Sequence, residues 1–179
     1  MGALGSQSGI SKSQVSRICQ EIDQQVQAFL NRPLPEAGYV YLDDTYLKGR
    51  LGKALEVCPR AGVAMGVNAD GRRELLGLKV GDSESEGFWS EFLASLKERG
   101  LTGVKLVISD AHVGLTKAIR RQLQGCVWQR CRGHFARNLL QRVPKAHKGM
   151  VTAALRSVFA QENAAEIISR WDDLGACRA

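Results

Sequence analysis

The order of apolar runs along this 179-residue chain restricts the folds that it can adopt. Three runs, at 39–42, 61–68 and 74–80, have the β-branched, aromatic or alternating composition of strands. Turn residues at 69–71 separate the second run from the third. These features predict a meander of three antiparallel strands.

A helix is predicted after the meander, over 83–99, and it ends at Gly100. Ser83 is positioned as the cap of this helix, and Glu84 and Glu86 suit its first turn. Apolar residues at helical spacing predict one buried side, formed by Phe88, Trp89, Phe92, Leu93 and Leu96.

Strand and helix patterns alternate from there onwards. A strand is predicted over 104–108, a helix over 114–123 and a strand over 126–131, and a helical region over 133–174 is broken at Pro144. Three antiparallel strands followed by this alternation predict an α/β protein with a mixed sheet, in which the later strands are parallel and helices lie on the sheet faces. This is the element order of the ribonuclease H-like fold.

Residues 1–31 predict a small N-terminal helical segment. Ser11 and Gln14 fit a capping box. Apolar residues then recur at helical spacing: Val15, Ile18, Ile22, Val26 and Phe29. The helix is either the remnant of a helix-turn-helix domain, in which case Lys12 and Arg17 face DNA, or a helix used for packing or dimerisation.

Basic residues are concentrated in one segment. Between Ala111 and Gln161 the chain has ten Lys or Arg residues and no Asp or Glu, so the net charge of +7 arises there and the remainder sums to −3. This distribution favours binding to the phosphate backbone of a nucleic acid, although a solvated helical face has the same composition. The candidate DNA-binding residues are Lys12, Arg17, Lys117, Arg120, Arg121, Arg130, Arg132, Arg137, Arg142, Lys145 and Lys148.

The composition also argues against two classes of protein. No run of about 18 apolar residues is present, so no membrane span is expected. Five cysteines, an odd number in a chain large enough to need no cross-links, favour a reducing compartment over a disulfide scaffold. We therefore expect a cytoplasmic protein with no membrane partner.

Two predicted strands, the first and the fourth, end in an aspartate, Asp43 and Asp110 respectively. In a mixed sheet these strands can be parallel neighbours, which would bring both carboxylates to one edge and require a cation between them. Mg²⁺ prefers such oxygen ligands, and two ions about 3.5–4 Å apart can hold the attacking and leaving oxygens of a phosphoryl transfer. Either aspartate can instead cap a turn or a helix. Asp44 points to the opposite face of its strand from Asp43, and the pattern does not decide which of the two faces the metal.

Four blocks of the sequence resemble the Mutator-type transposases of bacterial insertion sequences. They are YVYLDDTYLKGR, AGVAMGVNADGRRELLGLKVGDSESEGFWSEFLASLKERGL, GVKLVISDAHVGL and WQRCRGHFARNLL. The resemblance implies a ribonuclease H-like catalytic core with an Asp-Asp-Glu metal triad, which cuts DNA at the inverted repeats of the element and joins the 3′ ends to target DNA. Asp43 and Asp110 match the first two acids, and Asp44 stands where the family has alanine.

The same resemblance implies the cofactor and the partners. Asp43 and Asp110 are the expected ligands of Mg²⁺ or Mn²⁺, with two ions in a complete site. The expected partner is DNA, both the inverted repeats and the target, on which the protein forms a homo-oligomer. A nucleoid-associated protein of a prokaryotic cytoplasm is expected.

The chain departs from the family at the third acid. The family's glutamate lies well downstream in an Asn-Pro-x-Glu-like block, which is absent from this sequence. No acid after His134 is assigned as the third ligand, namely Glu162, Glu166, Asp172 or Asp173. Two alternatives therefore stay open: a DNA-binding remnant without catalytic activity, and another ribonuclease H-like nuclease.

The resemblance and the composition together predict a division of the chain. The helical segment over 1–31 is followed by a linker over 32–38, which holds two of the four prolines. An incomplete catalytic core is predicted over 39–143, and the truncated start of a helical insertion over 144–179.

Cys131 and His134 match a Cys-x-x-His pair that the family carries after its fifth strand. We expect this pair, and His112, at the rim of the active site or in contact with DNA. A buried cysteine beside a hydrogen-bonded histidine is one alternative, and half of a zinc site completed by Cys126 and His147 is another. Trp128 and Trp171 are predicted to be core residues and not platforms for base stacking.

Overall fold

A computed structural model of the chain describes residues 9–46, 49–51, 55–57, 60–81 and 83–176. The chain divides into two compact units. The first contains Met1–Val107 and His112–Trp128, and the second contains Ile108–Ala111 and Gln129–Ala179.

Helix α1 spans Lys12–Asn31 and begins with the predicted capping box. The Ser11 hydroxyl accepts a hydrogen bond from the Gln14 N–H, and the Gln14 side chain accepts one from the Ser11 N–H. No residue of α1 is buried, and the apolar stripe is 43–53% exposed at Val15, Ile18, Ile22 and Val26. The helical period therefore correctly predicts a helix, but these four residues of the stripe are largely exposed.

The predicted meander is confirmed. Strand β1 spans Tyr39–Tyr46, and two short strands, β2 (Gly49–Leu51) and β3 (Leu55–Val57), form a separate two-stranded sheet that the sequence did not predict. Strand β4 (Arg60–Val67) pairs antiparallel with both β1 and β5 (Arg73–Gly81).

Strand β1 is longer than predicted. The prediction that it ends at Asp43 is wrong, because residues 43–46 continue to pair with β4, from Asp43 opposite Val63 to Tyr46 opposite Arg60. Asp43 and Asp44 are consequently both strand residues, whose side chains leave opposite faces of the sheet.

Helix α2 spans Glu86–Glu98, β6 Leu106–Ser109, α3 Val113–Gln122 and β7 Val127–Arg130. The five-stranded sheet has the order β5-β4-β1-β6-β7, which confirms the mixed sheet of the ribonuclease H-like prediction and the placing of β6 beside β1. The predicted cap of α2 is wrong, because the Ser85 hydroxyl, and not that of Ser83, accepts from the Phe88 N–H. Glu84 therefore lies outside the helix, with consequences described below.

The core of the first unit lies between the sheet and helices α2 and α3. The largest buried side chain is Trp89 of α2, and Val40 and Leu42 of β1 are buried in the same cluster. Gly62 permits this packing, because a Cβ atom there would lie 3.1 Å from the Trp89 ring. Full burial of an aromatic side chain of this size contributes about 3 kcal/mol to folding.

Residues 32–38, predicted as a linker, are packed into the first unit. Leu34 and Ala37 are buried in its core. The Leu34 N–H donates to the Arg99 carbonyl at 2.7 Å, and the Ala37 N–H donates to the Thr102 carbonyl at 3.1 Å. The two prolines thus shape an ordered connection to β1.

The second unit is helical after β7. It contains α4 (Arg132–Gln141), a short 3₁₀ helix (Lys145–His147), α5 (Lys148–Phe159) and α6 (Ala164–Ala176), and the helical run is interrupted at Pro144 as predicted. Leu155 and Val158 of α5 are its buried apolar side chains. None of the helices in the described ranges is both long enough and apolar enough to cross a bilayer.

Candidate active site

Asp43 lies on the exposed side of β1. Along β1 the buried residues Val40 and Leu42 alternate with exposed residues, and Asp43 belongs to the exposed set. The aspartate lines a hollow of about 320 Å³. Its other lining residues come from the three meander strands: Tyr41, Asp44, Thr45, Val63, Met65 and Arg73.

The Asp43 carboxylate is oriented by its own backbone. Its Oδ1 atom accepts a hydrogen bond of 2.9 Å from the N–H of Asp44. Asp110 is held in the same way, because its Oδ1 atom accepts from the N–H of Ala111 at 2.7 Å. Both aspartates therefore have a fixed carboxylate at a strand, which suits a ligand better than a freely rotating side chain does.

Asp110 directly follows β6 and belongs to the second unit, whereas Asp43 belongs to the first. The alternative that Asp110 caps the following helix is wrong, since α3 has His112 as its N-cap and no side-chain cap. Strands β1 and β6 are neighbours in the sheet order.

Asp44 has a different environment from Asp43. The Arg60 guanidinium donates from Nη1 to Asp44 Oδ2 at 2.7 Å, and the same nitrogen donates to the carboxylate of Glu84. The guanidinium also lies 4.4 Å from the centroid of the Tyr46 ring. Only 22% of the Asp44 side chain, 25% of Arg60 and 13% of Glu84 are exposed, so this cluster is shielded from solvent.

The Glu84 carboxyl in this cluster has a raised pKa. Burial raises this pKa, and the nearby negative charge of Asp44 raises it further. His112, whose Nδ1 atom lies 3.4 Å from Glu84 Oε1, and Arg60 lower the pKa, but less than burial and Asp44 raise it. The cluster therefore has one guanidinium for two carboxylates, and His112 contacts Glu84 in the structure.

The sequence pattern contains no signal for this cluster. The pattern predicts Glu84 in the first turn of a helix and predicts no role for Arg60. Arg60 reaches Asp44 only because the β1–β4 register places Arg60 opposite Tyr46. The sequence pattern does not predict Arg73 as a residue of this hollow either. Strand alternation assigns Arg73 to the exposed side of β5 only when the first residue of that strand is known.

Cys131 and His134 lie at the start of α4 in the second unit. Cys131 is the N-cap residue, and its N–H donates to the Ser109 carbonyl at 2.7 Å, which places the start of α4 beside the strand end that leads to Asp110. Cys126 belongs to the first unit, where burial raises the pKa of its thiol. No set of three or more His, Cys, Asp or Glu side chains in the described ranges is grouped so that it could hold a metal ion, so the zinc alternative is not assembled there.

The candidate DNA-binding residues do not lie on one element. Five are in the first unit, on α1 (Lys12 and Arg17) and on α3 (Lys117, Arg120 and Arg121). Six are in the second unit, from β7 to the start of α5: Arg130, Arg132, Arg137, Arg142, Lys145 and Lys148. Two of the first group are paired with acids, since Arg17 lies 3.8 Å from Glu21 and Lys117 lies 4.0 Å from Glu86.

A divalent metal ion fits the donor chemistry of Asp43 and Asp110. Both offer hard carboxylate oxygens, which Mg²⁺ and Mn²⁺ prefer. Asp44 fits less well, because Arg60 already binds its carboxylate. The arrangement thus favours Asp43 over Asp44 as the ligand from β1.

Comparison with known proteins gives a consistent result. The chain matches a model described as "Transposase, Mutator family" over residues 1–177. The transposase for insertion sequence element IS1081 from Mycobacterium tuberculosis is 42% identical over 166 residues, which cover 91% of this chain and 40% of that protein. The transposase for IS256 in transposon Tn4001 from Staphylococcus aureus is 40% identical over 152 residues, or 84% of this chain and 39% of that protein.

The chain spans about 40% of the length of these curated relatives. Among solved structures, the simian T-cell lymphotropic virus intasome in complex with PP2A regulatory subunit B56 gamma aligns with a TM-score of 0.37 at 15% identity. That alignment covers 74% of this chain and 52% of the other chain. The fold assignment follows from the strand order and not from this alignment.

Proposed function

This chain belongs to the Mutator family of transposases, and from that premise we propose that it binds DNA and carries out metal-dependent strand cleavage and strand transfer. The observation that carries the proposal is the position of Asp43, an oriented carboxylate in an open hollow on β1, next in sheet order to the strand that ends at Asp110. The substrates are the inverted repeats of an insertion element and a target DNA, on which the protein acts as a homo-oligomer.

Asp43 and Asp110 would hold Mg²⁺ or Mn²⁺, two ions in a complete site. When bound, such ions lower the pKa of water and neutralise charge on the phosphate. Asp44 also borders this hollow, but Arg60 binds its carboxylate, so we assign it a separate role.

Arg73 extends this site toward the substrate. It is exposed, lies on β5 and lines the same hollow as Asp43. A guanidinium there can bind a phosphate next to the one being cut, because arginine forms paired hydrogen bonds with phosphate oxygens. Cys131, His134 and His112 would shape the rim near Asp110 or contact the DNA.

The basic residues of the second unit would bind the flanking DNA. Phosphate neutralisation by several Lys and Arg side chains gives an affinity that falls steeply with salt. The absence of acids between Ala111 and Gln161 prevents these cations from being neutralised by their sequence neighbours.

Plasmid nicking tests the proposal. The purified chain is incubated with supercoiled plasmid and Mn²⁺, with EDTA as the metal control, and the open-circular product is measured. We expect nicking by the natural sequence and by Asp44→Asn, and none by Asp43→Asn or Asp110→Asn, although all four bind DNA. Normal nicking by Asp43→Asn would show that the site assignment is wrong.

A DNA-binding remnant is the second candidate. It is favoured by one observation, that the described ranges contain no group of three acids able to hold a metal. This candidate predicts salt-sensitive DNA binding with no nicking at any Mn²⁺ concentration. Reproducible nicking that is lost in Asp43→Asn would exclude it.

A further inference from the structure

The second unit contains an aromatic groove that the proposed cleavage site does not use. The groove has a volume of about 360 Å³ and lies between β7 and helices α4, α5 and α6. Its floor is apolar and its edge carries two arginines. The lining residues are Arg130, Arg132, Phe135, Val158, Phe159, Ile167, Ile168 and Trp171.

Rings and guanidinium groups are interleaved in this groove. The Phe135 and Trp171 rings lie 6.3 Å apart at an angle of 51°. The Arg130 guanidinium lies 5.4 Å from the Phe135 centroid, and that of Arg132 lies 5.1 Å from the Phe159 centroid. The rings thus hold the two arginines in place by cation–π contact.

Trp171 is the ring most open to solvent. It was predicted to be a core residue, but it is 47% exposed, and its neighbour Ile168 is 61% exposed. No arginine or lysine in the described part of the chain lies over the Trp171 ring. A large aromatic surface is therefore available in a groove that is already partly formed.

The charges of the groove indicate what can cover it. Neither Arg130 nor Arg132 has an acidic partner within the described ranges. An apolar protein segment seated there would bury both guanidinium groups without a counterion, which is costly. A nucleotide carries its own counterion, because its base can stack on the ring while its phosphate meets the arginines.

We propose that this groove binds an unpaired base of the DNA substrate, with Trp171 as the stacking surface and Arg130 and Arg132 as phosphate contacts. The base must be unpaired, since both faces of a base within a duplex are covered by its neighbours. This inference rests on the proposed function, because it takes DNA as the ligand. It deepens that function by assigning a single-stranded portion of the substrate to the second unit.

Tryptophan fluorescence of the full chain tests the groove directly. Trp89 is fully buried and Trp128 is half-buried, so the exposed Trp171 is expected to contribute most of the quenching by ligand, and that part of the quenching should be lost in Trp171→Leu. Three DNA probes of equal length are titrated: single-stranded oligo(dT), the same strand with abasic sites, and a duplex. We expect the intact single strand to quench the emission and to bind about tenfold more tightly than the abasic strand, in line with the energy of base–aromatic stacking.

Variants separate stacking from charge. Trp171→Leu keeps an apolar side chain and is expected to bind the intact and abasic strands equally. Arg132→Gln is expected to weaken both strands, whereas Arg156→Gln, an exposed arginine of α5 that does not line the groove, leaves their ratio unchanged. Ile168→Asp is a second groove variant at an exposed position, in case Trp171→Leu does not fold, and it should weaken the intact strand.

Each other outcome overturns the inference. Equal affinity of the natural sequence for the intact and abasic strands would overturn it. So would a ratio of intact-strand to abasic-strand affinity that is the same as that of the natural sequence in both single variants, Trp171→Leu and Ile168→Asp. Self-association that is lost in Trp171→Leu would show that a second copy of the chain covers the groove. If duplex binds in a salt-dependent way without a base effect, only the groove proposal fails, whereas failure of all three probes to bind contradicts the proposed function.

Discussion

Asp43 and Asp44 are consecutive carboxylates on one strand, and they have opposite environments. Asp43 is an exposed residue that lines an open hollow. Asp44 lies on the face that also carries the core, where Arg60 binds its carboxylate. Burial, and then the negative charge of Asp44, raise the pKa of the neighbouring Glu84. Strand alternation therefore places two identical side chains in different environments. We expect Asp43 to bind metal and Asp44 to contribute to stability.

Replacing Asp43 should have the largest effect on activity. Asp43→Asn removes a carboxylate ligand and is expected to lower the nicking rate about 1000-fold, or about 4 kcal/mol in activation free energy. Because the side chain is exposed, the free energy of unfolding should change by less than about 0.5 kcal/mol. Plasmid nicking and urea unfolding of the same preparation measure both quantities, and a large loss of stability would contradict the division between the two faces.

Replacing Arg60 should have the largest effect on stability. Arg60→Met leaves Asp44 and Glu84 facing each other without a cation and is expected to lower the free energy of unfolding by about 2–3 kcal/mol. This is less than for a fully buried pair, since about a quarter of the arginine is exposed. Urea unfolding measures the loss.

Two variants sharpen this comparison. Adding Asp44→Asn and Glu84→Gln to Arg60→Met should restore most of the lost stability, because the uncompensated charges are then gone. Arg73→Met is the matched control on the open face, where the change should be within about 0.5 kcal/mol. An equal loss in Arg60→Met and Arg73→Met would count against the account.

The raised pKa of Glu84 predicts a pH effect of defined sign. Its pKa in the folded chain lies above the ordinary value of 4.5, so ionisation disfavours folding, and stability from this residue falls as the pH rises from 4.5 through the folded pKa. Glu84→Gln does not ionise. As the pH rises over that window, the free energy of unfolding of Glu84→Gln should therefore increase relative to that of the natural sequence. A relative decrease would contradict the raised pKa of Glu84.

Replacing Arg73 should have the smallest effect. Arg73→Gln removes one phosphate contact and is expected to weaken DNA binding a few-fold and to reduce the slope of log affinity against log salt by about one. Arg72→Gln changes the same charge at the adjacent residue, which does not line the hollow, and serves as the control. Equal salt slopes for the two variants would exclude a special role for Arg73.

Much of the fold was predictable because its signals are local. The capping box of Ser11 and Gln14, the meander runs and the break at Pro144 each depend on residues close in sequence. Asp43 and Asp110 follow from the strand patterns and from the family resemblance, and their role as metal ligands stays a prediction. The Arg60 cluster was not predictable, because it depends on the pairing register of β1 with β4 and on a helix that begins at Glu86 instead of Ser83.

Exposure was the property that the sequence predicted least well. The apolar stripe of α1 and Trp171 both have the composition of packed surfaces, yet both are substantially exposed. Periodicity tells which residues share a face, but not whether another element lies against that face.

The most direct test of the central claim is the shift in melting temperature that Mn²⁺ produces in three chains: the natural sequence, Asp43→Asn and Asp44→Asn. A ligand that binds the folded state raises the melting temperature in proportion to its binding free energy. We predict that Mn²⁺ stabilises the natural sequence and Asp44→Asn to the same extent, from a lower starting temperature in the latter, and does not stabilise Asp43→Asn. Loss of the shift in Asp44→Asn with its retention in Asp43→Asn would contradict the assignment of roles to the two faces of β1.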